Sequence, residues 1–381
     1  MKQEKVDAET GISGSRSGKC GKNMKMIMRR AISILLVMIL CLVPCGCAGS
    51  SGAASTADTP GTGKTGEEKS GGEEETLQIG MSFDSFVIER WIRDRDVFVS
   101  TAQSMGASVN VQSANGDVQE QIEQIRYLIS KGVDVLVVIP VDCASLAEVI
   151  GEARDKGIKV ISYDRLASDA NVDLYVSFDN YEVGRLMAAA LVQALPEGSA
   201  IFMIGGPLTD DNVRKVEDGF HSVLDESTLT VEYQQRCENW NAADGYTYVK
   251  EGLSQNRDVA GIMCGNDDIA TQAFRALAEE RLAGKVMLTG QDGDLAACQR
   301  VVSGTQLVSV FKSVDDEARA AAECAVRLGR GEKLEEITKT ISDGSHEVPY
   351  LELKPIAVTK DNIDEVIIEG GFHARDEVYL Q

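Results

Sequence analysis

Short apolar runs alternate with amphipathic stretches along most of the chain, beginning at residue 77. Apolar runs such as 77–83 and 133–139 predict buried strands. Stretches such as 118–131 space their apolar residues as a helix does. Strand–helix alternation predicts parallel sheets with helices on both faces. Ten strands are predicted, at 77–83, 108–113, 133–139, 158–163, 174–178, 200–205, 229–234, 259–264, 286–290 and 307–311.

The rhythm of strands and helices stops near residues 178–180 and then starts again. The two halves are similar, and each has roughly 100–150 residues, which is a typical size for one lobe. They predict an α/β fold with two Rossmann-like lobes, joined by a multi-strand hinge. The N-terminal lobe is predicted to comprise 77–178 plus 312–349. The C-terminal lobe is predicted to comprise 179–311 plus 350–381, whose tail suggests an extended strand and a short helix.

The N-terminus has the pattern of a targeting segment. A basic stretch at 22–30 precedes an apolar run at 31–43, which is short for a membrane span and typical of a signal sequence. Gly46-Cys47-Ala48 follows and resembles a bacterial lipobox, so residues 1–46 are predicted to be removed and Cys47 lipidated. An ordinary secretory signal is the alternative. Met24 is an alternative start, because residues 1–23 resemble neither a signal nor a fold.

Residues 47–76 are rich in Gly, Ser, Thr and Glu, a composition that cannot bury a core. They are predicted to form a flexible tether after the lipidated Cys47. Gly61-x-Gly63-x-x-Gly66 matches a dinucleotide fingerprint, but neither a strand before it nor a helix after it is predicted. No cofactor is therefore expected.

Composition narrows the possible partners. The 381 residues carry a net charge of −22, which disfavours nucleic acid. Of the nine cysteines, those after the tether are odd in number, scattered and never spaced as CxxC. The three histidines are isolated as well. We therefore expect neither a disulfide framework nor a metal site.

Five polar strings lie at or just beyond the ends of predicted strands. In a parallel sheet these carboxyl ends share one edge, where ligands bind. The strings offer cationic, carboxylate, amide and indole groups and lack a nucleophile, so they favour holding a polyhydroxylated molecule over breaking one, and no enzyme activity is expected. They are Phe83-Asp84…Glu89-Arg90-Trp91, Tyr163-Asp164-Arg165, Asn266-Asp267-Asp268, Gly290-Gln291-Asp292 and Phe311-Lys312.

Several candidates for ligand binding also have structural interpretations. Arg90 has Glu89 and Asp94 nearby for a salt bridge along a helix, and Trp91 is a candidate core residue. Asn266 and Asp267 stand where a helix needs a cap. The predicted ligand-binding residues are the cations Arg90, Arg165 and Lys312, the acids Asp267 and Asp292, the amides Asn212 and Asn266, and the indoles Trp91 and Trp240.

Residues 77–376 resemble the periplasmic D-xylose-binding proteins, the substrate-binding components of ABC sugar transporters with the type I periplasmic-binding-protein fold. The resemblance implies sugar contacts at the predicted cations, both amides and Asp292, with Trp240 and Trp91 packing on the pyranose. Residues 83–87 and 236–239 depart from the family pattern. The strings that carry the resemblance are IGMSFDSFVIERWIRDRDVF, VQSANGD, GVDVLVVIP, GIKVISYDRL, VSFDNYEVG, GGPLTDDN, GNDDIATQAFRAL, GQDGDLA, GTQLVSVFK and IIEGGFH.

The resemblance implies a monomeric, extracytoplasmic binding protein that captures D-xylose or a related aldose by hinge closure. Its partners would be the permease and ATPase subunits of an ABC importer, and Cys47 would anchor it to the cell membrane. The alternative is a sensor that presents the sugar to a membrane histidine kinase or chemoreceptor. The sequence alone does not separate these two partners.

Overall fold

The predicted alternation of strands and helices is present in the computed structural model of the protein, which describes residues 76–380. The predicted signal, the lipidation site Cys47 and the tether up to residue 75 lie outside the described residues. The strands of residues 76–380 are β1 (Leu77–Phe83), β2 (Ala107–Ser113), β3 (Val135–Val138), β4 (Lys159–Tyr163), β5 (Leu174–Phe178), β6 (Ala200–Gly205), β7 (Thr230–Arg236), β8 (Gly261–Cys264), β9 (Met287–Gln291), β10 (Val308–Phe311), β11 (Thr340–Ser342), β12 (Glu347–Leu353) and β13 (Ile356–Val358).

Helices follow most of these strands. They are α1 (Arg90–Ser104), α2 (Val118–Ser130), α3 (Ala147–Asp155), α4 (Asn180–Ala194), α5 (Asp211–Leu224), α6 (Ala242–Gln255), α7 (Asp267–Glu279), α8 (Leu295–Ser303), α9 (Val314–Gly329) and α10 (Arg375–Tyr379). A short turn of 3₁₀ helix covers Glu238–Trp240 and a π-helical segment covers Asp364–Glu369.

The strands form two sheets. The first has seven strands in the order β11-β12-β5-β4-β3-β1-β2, and the second has six in the order β13-β10-β9-β8-β6-β7. Neighbours are parallel except that β11 runs antiparallel to β12 and β13 antiparallel to β10. Each sheet with its helices is called a lobe below, the first lobe containing β1 and the second β6. The predicted two-lobed α/β fold is confirmed.

The chain passes between the two sheets three times, between β5 and α4, between β10 and α9, and between β12 and β13. The predicted boundary between residues 349 and 350 falls inside β12, where Tyr350 is still paired with Tyr175 of β5. Strand pairing therefore places the last crossing after Leu353. The other predicted boundaries of the two lobes remain a proposal.

Burial on both faces explains why the central strands read as continuous apolar runs. All four residues of β3 and all five of β5 are buried. Ile79 and Met81 of β1 pack in the same cluster as Phe98 of α1. The edge strands β2 and β7 are more exposed, in keeping with their mixed sequences.

Helices α4 and α5 of the second lobe approach each other very closely at two glycines. A Cβ added at Gly184 would lie 1.9 Å from the Val216 carbonyl oxygen, and one added at Gly219 would lie 1.9 Å from the Tyr181 carbonyl oxygen. Only glycine fits at this contact. Within residues 76–380, no helix is both long and apolar enough to cross a membrane.

Candidate functional site

A cavity lies where the carboxyl ends of the two sheets face each other. Polar side chains from both lobes line it together with apolar ones. Its lining residues are Ile88, Arg90, Trp91, Asp164, Arg165, Asn180, Gly205, Gly206, Asp210, Asn212, Val213, Val216, Glu217, Trp240, Met263, Gly265, Asn266, Gln291, Asp292 and Lys312. Every predicted ligand-binding residue except Asp267 is among them.

Arg90, at the start of α1, is held from behind by two carboxylates. It donates to Asp94 through Nε at 3.1 Å and Nη2 at 2.9 Å, and Nη2 also lies 2.6 Å from Glu317 Oε2. Its Nη1 has no hydrogen-bond partner within the described part of the chain. The predicted pairing with Asp94 is therefore present, and it leaves one end of the guanidinium for the cavity.

Two further carboxylates face the same end of Arg90. Its Nη1 lies 3.5 Å from Asp164 Oδ2 and 3.8 Å from Asp292 Oδ1. Burial lowers the pKa of Arg90, but Asp164, Asp94 and Glu317 together raise it well above its usual value. The guanidinium is therefore always charged.

Arg165, just after β4, links the lobes. Its Nη1 donates to Asp84 Oδ2 at 2.8 Å and to the Pro140 carbonyl at 2.9 Å, both in the first lobe. Its Nε lies 2.8 Å from Oδ2 of Asp210, in the second lobe. The same Asp210 oxygen accepts from Trp240 Nε1 at 3.2 Å. Asp210 therefore holds both the Arg165 guanidinium and the Trp240 indole in place.

Lys312 joins the cavity from the crossing after β10. Its Nζ lies 3.0 Å from Asp292 Oδ1, and both side chains are about 5% exposed. Burial lowers the pKa of Lys312, but Asp292 and Asp164 outweigh burial and raise it. Burial likewise raises the pKa of Asp164, but Arg90, Lys312 and Arg165 outweigh burial, so this pKa is lowered. Both groups are charged at neutral pH.

The side chains of Asn266 and Asn212 both line the cavity and also make structural hydrogen bonds. Asn266 caps α7, its Oδ1 accepting from the Ile269 amide at 2.9 Å, as predicted for a helix start. Asn212 crosses the cleft, donating from Nδ2 to the Asp164 carbonyl at 2.8 Å. Its Oδ1 accepts from the Tyr175 hydroxyl at 3.3 Å.

The two tryptophans supply apolar faces to the cavity. Trp91 is 1% exposed and packs at 6.1 Å from the Phe83 ring, so it is a core residue as well as a lining one. Trp240 lies against Gly206, where an added Cβ would come within 2.4 Å of the indole. Glycine at 206 therefore makes room for the plate.

Asp267 differs from its prediction. It is fully buried and does not line the cavity. Its carboxylate points into the protein interior, where it accepts hydrogen bonds from the backbone amides of Gly293 and Asp294. As the first residue of α7, it points inward, while its neighbour Asn266 reaches the cavity.

Five polar lining residues were not among the predicted ligand-binding residues: Asp164, Asn180, Asp210, Glu217 and Gln291. Asp164 and Gln291 belong to the polar segments Tyr163-Asp164-Arg165 and Gly290-Gln291-Asp292, which follow strand ends. Asp210 follows the Gly-Gly-Pro loop after β6 and caps α5, accepting from the Asn212 amide at 3.0 Å. Its place as the acidic residue that caps α5, in the loop that follows β6, was the available signal.

The chemistry of the lining favours a neutral molecule with many hydroxyls. Several lining residues have a polar atom without a hydrogen-bond partner among residues 76–380, namely Arg90, Trp91, Asp164, Asn180, Glu217 and Gln291. These are donors and acceptors together, as a polyol requires, and the indoles suit its C–H faces. No lining residue, all of them within the described chain, is a serine, cysteine or histidine.

Known proteins resemble this chain over most of its length. Residues 79–333 match the family model of the periplasmic binding protein domain. The D-xylose-binding periplasmic protein of Haemophilus influenzae is 43% identical over 315 residues, covering 81% of this chain and 94% of that protein. The protein of the same name from Escherichia coli is 41% identical over 307 residues, covering 79% and 92%.

Solved structures are similar in fold as well. An ABC transporter solute binding protein from Clostridium phytofermentans with bound β-D-glucose has a TM-score of 0.72 and 25% identity, covering 79% of this chain and 99% of that one. A carbohydrate transporter solute binding protein from Chloroflexus aurantiacus in complex with D-glucose has a TM-score of 0.73 and 27% identity, covering 79% and 98%.

Proposed function

The chain belongs to the periplasmic binding protein family, and from this we propose that it captures D-xylose or a closely related aldose outside the cytoplasm for an ABC-type importer. The observation that carries the proposal is the cavity. It is lined by three cations, amides, carboxylates and the only two tryptophans of the chain. The relatives named for D-xylose binding support the choice of sugar.

The sugar would be held by hydrogen bonds to charged partners that are already oriented. Arg90 is fixed by Asp94 and Glu317, and Arg165 by Asp84 and Asp210. Because these side chains are ordered by the protein, the sugar does not have to order them, which favours affinity. No catalytic step is proposed, in line with relatives that are named as binding proteins.

Binding would be coupled to closure of the cleft by a hinge motion. The positions of the polar lining residues support this closure, because these residues come from both lobes and from the crossing at Lys312. A sugar that contacts both sides stabilises the closed arrangement by its differential affinity for it. The closed form would then dock on the permease.

We further propose that the protein is a monomer anchored to the cell membrane through a lipid on Cys47. The lipobox-like sequence at residues 46–48, preceded by an apolar segment, supports this. The Gly/Ser-rich stretch up to residue 76 would hold the binding domain away from the surface.

The test is a tryptophan-fluorescence and calorimetric titration of the full chain with D-xylose, D-ribose, L-arabinose and D-glucose. Both tryptophans line the cavity, so their emission reports the site directly. We expect a saturable response to D-xylose. A chain that responds to no monosaccharide would refute the proposal.

A matched pair of arginine variants locates the site. Arg165→Ala should abolish binding, since it removes a buried cation and leaves Asp84 and Asp210 without their partner. Arg126→Ala removes an exposed arginine paired with Glu152 and should bind normally. Normal binding by Arg165→Ala would show that the sugar lies elsewhere.

A further inference from the structure

A buried polar network lies directly behind the loop that carries Asp292. Its centre is Asp267, which is fully buried. Asp267 Oδ2 accepts from the backbone amides of Gly293 at 3.0 Å and Asp294 at 3.2 Å, and from the Ser309 hydroxyl at 2.5 Å. One carboxylate oxygen thus holds two consecutive amides of the loop.

The other oxygen of Asp267 is held as firmly. Its Oδ1 accepts from Gln306 Nε2 at 2.9 Å, and Gln306 is oriented by Arg300, whose Nε donates to Gln306 Oε1 at 2.9 Å. Gly290 leaves the space for this carboxylate, because a Cβ there would lie 2.1 Å from Asp267 Oδ1. The network therefore joins the ends of β8, β9 and β10.

The loop held in this way has an unusual backbone. Asp292 has a φ of 100°, which L-residues with side chains rarely adopt. Such a conformation persists only where the surroundings enforce it. In this conformation the Asp292 carboxylate lies 3.0 Å from Lys312 Nζ, at the cavity.

We propose that Asp267 is a positioning residue for sugar binding: its ionised carboxylate holds the Gly293 and Asp294 amides and thereby fixes Asp292 at the cavity wall. The inference rests on the proposed function of the cavity and adds a residue that does not touch the sugar. It also replaces the direct contact predicted for Asp267 by an indirect role.

The protonation state of Asp267 controls this arrangement. Burial raises the pKa of Asp267 to about 7, against the hydrogen bond from Ser309 and the charge of Arg300. All four groups around the carboxylate are donors, so a proton on it would remove an acceptor. Sugar affinity should therefore fall as the pH falls through about 7. The charged and titratable groups that face Asp267 are Arg300, Asp292, Asp294, Cys264 and Cys298.

The experiment measures D-xylose affinity of the full chain by calorimetry between pH 5.5 and pH 8.5. Asp267→Asn should bind roughly ten- to a hundredfold more weakly at pH 8 and lose the component of the pH profile centred near 7. Ser309→Ala keeps the carboxylate but removes a hydrogen bond that lowers its pKa. That variant should move the midpoint of the profile to higher pH.

Asp343→Asn is the matched control. Asp343 is also buried and also accepts from backbone amides, those of Asn171, Ser345 and His346, but in the first lobe and away from the cavity. It should keep both affinity and pH profile. If Asp267→Asn fails to fold, the midpoint of Ser309→Ala decides.

The outcomes separate the two proposals. A wild-type chain that binds D-xylose, together with an Asp267→Asn variant of equal affinity and unchanged profile, would overturn the positioning role alone. A Ser309→Ala profile with an unmoved midpoint would overturn it too. A wild-type chain that binds no monosaccharide would overturn the proposed function and this inference together.

Discussion

At the residue scale, three residues that line the cavity have a strained backbone. Asp164, Trp240 and Asp292 have φ values of 58°, 56° and 100°, and all three line the cavity. Left-handed backbone costs a residue with a side chain on the order of 1–2 kcal/mol, so other contacts must enforce it. Ion pairs to Arg90 and Lys312, and the Trp240–Asp210 hydrogen bond, supply that enforcement. The strain is consistent with side chains that are aimed for binding.

Three carboxylates at the rim of the cleft predict a measurable pH dependence of stability. One oxygen each of Glu89, Asp268 and Asp294 lies within 4.8 Å of the others. Burial raises the pKa of Asp268 to about 6, from 3.8, and Asp292 and Glu89 add to this. The folded state therefore binds the Asp268 proton more tightly than the unfolded chain, and this contribution to stability is lost as the pH rises from about 4 through 6.

Asp268→Asn removes this titration. We expect the free energy of unfolding of the variant, relative to that of wild type, to increase as the pH rises from about 4 to about 6.5, because only wild type loses the Asp268 contribution; urea unfolding measures it. Gln255→Ala, at the exposed end of α6, changes no titratable group and should show a constant difference from wild type. A constant difference for Asp268→Asn as well would contradict the assigned pKa.

At the element scale, the contact of α4 with α5 should be the most sensitive to an added methyl group. Gly184→Ala would place a Cβ 1.9 Å from the Val216 carbonyl oxygen, so the helices would have to separate. We expect a loss of about 1–3 kcal/mol or more in the free energy of unfolding. Chemical denaturation measures it.

Gly151→Ala is the control for this substitution. Gly151 lies inside α3 with no atom within 4 Å of an added Cβ. There alanine should stabilise the protein by roughly 0.5–1 kcal/mol, because glycine is a poor helix former. Two substitutions of the same kind should thus change stability in opposite directions. Equal effects would mean that helix propensity, and not packing, governs α4.

How far the sequence predicts these elements depends on burial. Of the ten predicted strands, the central ones were predictable because apolar runs must be buried on both faces, whereas β2 and β7 lie at sheet edges and have mixed sequences. Strands β11 and β13 have three residues each, partly exposed, and no pattern distinguishes them from loops. Position in the sequence predicted site residues that follow a strand within two residues, namely Arg165, Asn266, Asp292 and Lys312. The inward direction of the Asp267 side chain was not predictable. Asp267 and Asn266 are adjacent at the start of α7, and the sequence does not show which of the two side chains faces the cavity.

At the scale of the whole molecule, polar contacts join the lobes around the cavity. Arg165 reaches Asp210, and Asn212 reaches the Asp164 carbonyl. Further out, the Cys143 amide, in the loop after β3, donates to the Thr209 carbonyl, in the loop after β6, at 2.9 Å. Contacts of this kind would break if the lobes moved apart, so the exchange of the Cys143 amide should report the proposed closure.

Amide hydrogen exchange tests closure directly. If the lobes open and close about the three crossings, the Cys143 amide should exchange at least tenfold more slowly with saturating D-xylose than without it, since the sugar favours the closed form. The Asp169 amide donates to the Asp343 carbonyl at 2.9 Å, within the first lobe, and should exchange at the same rate in both conditions. Arg165→Ala should abolish the slowing. Equal Cys143 exchange with and without bound sugar would mean that binding leaves the cleft unchanged and would contradict the proposed closure.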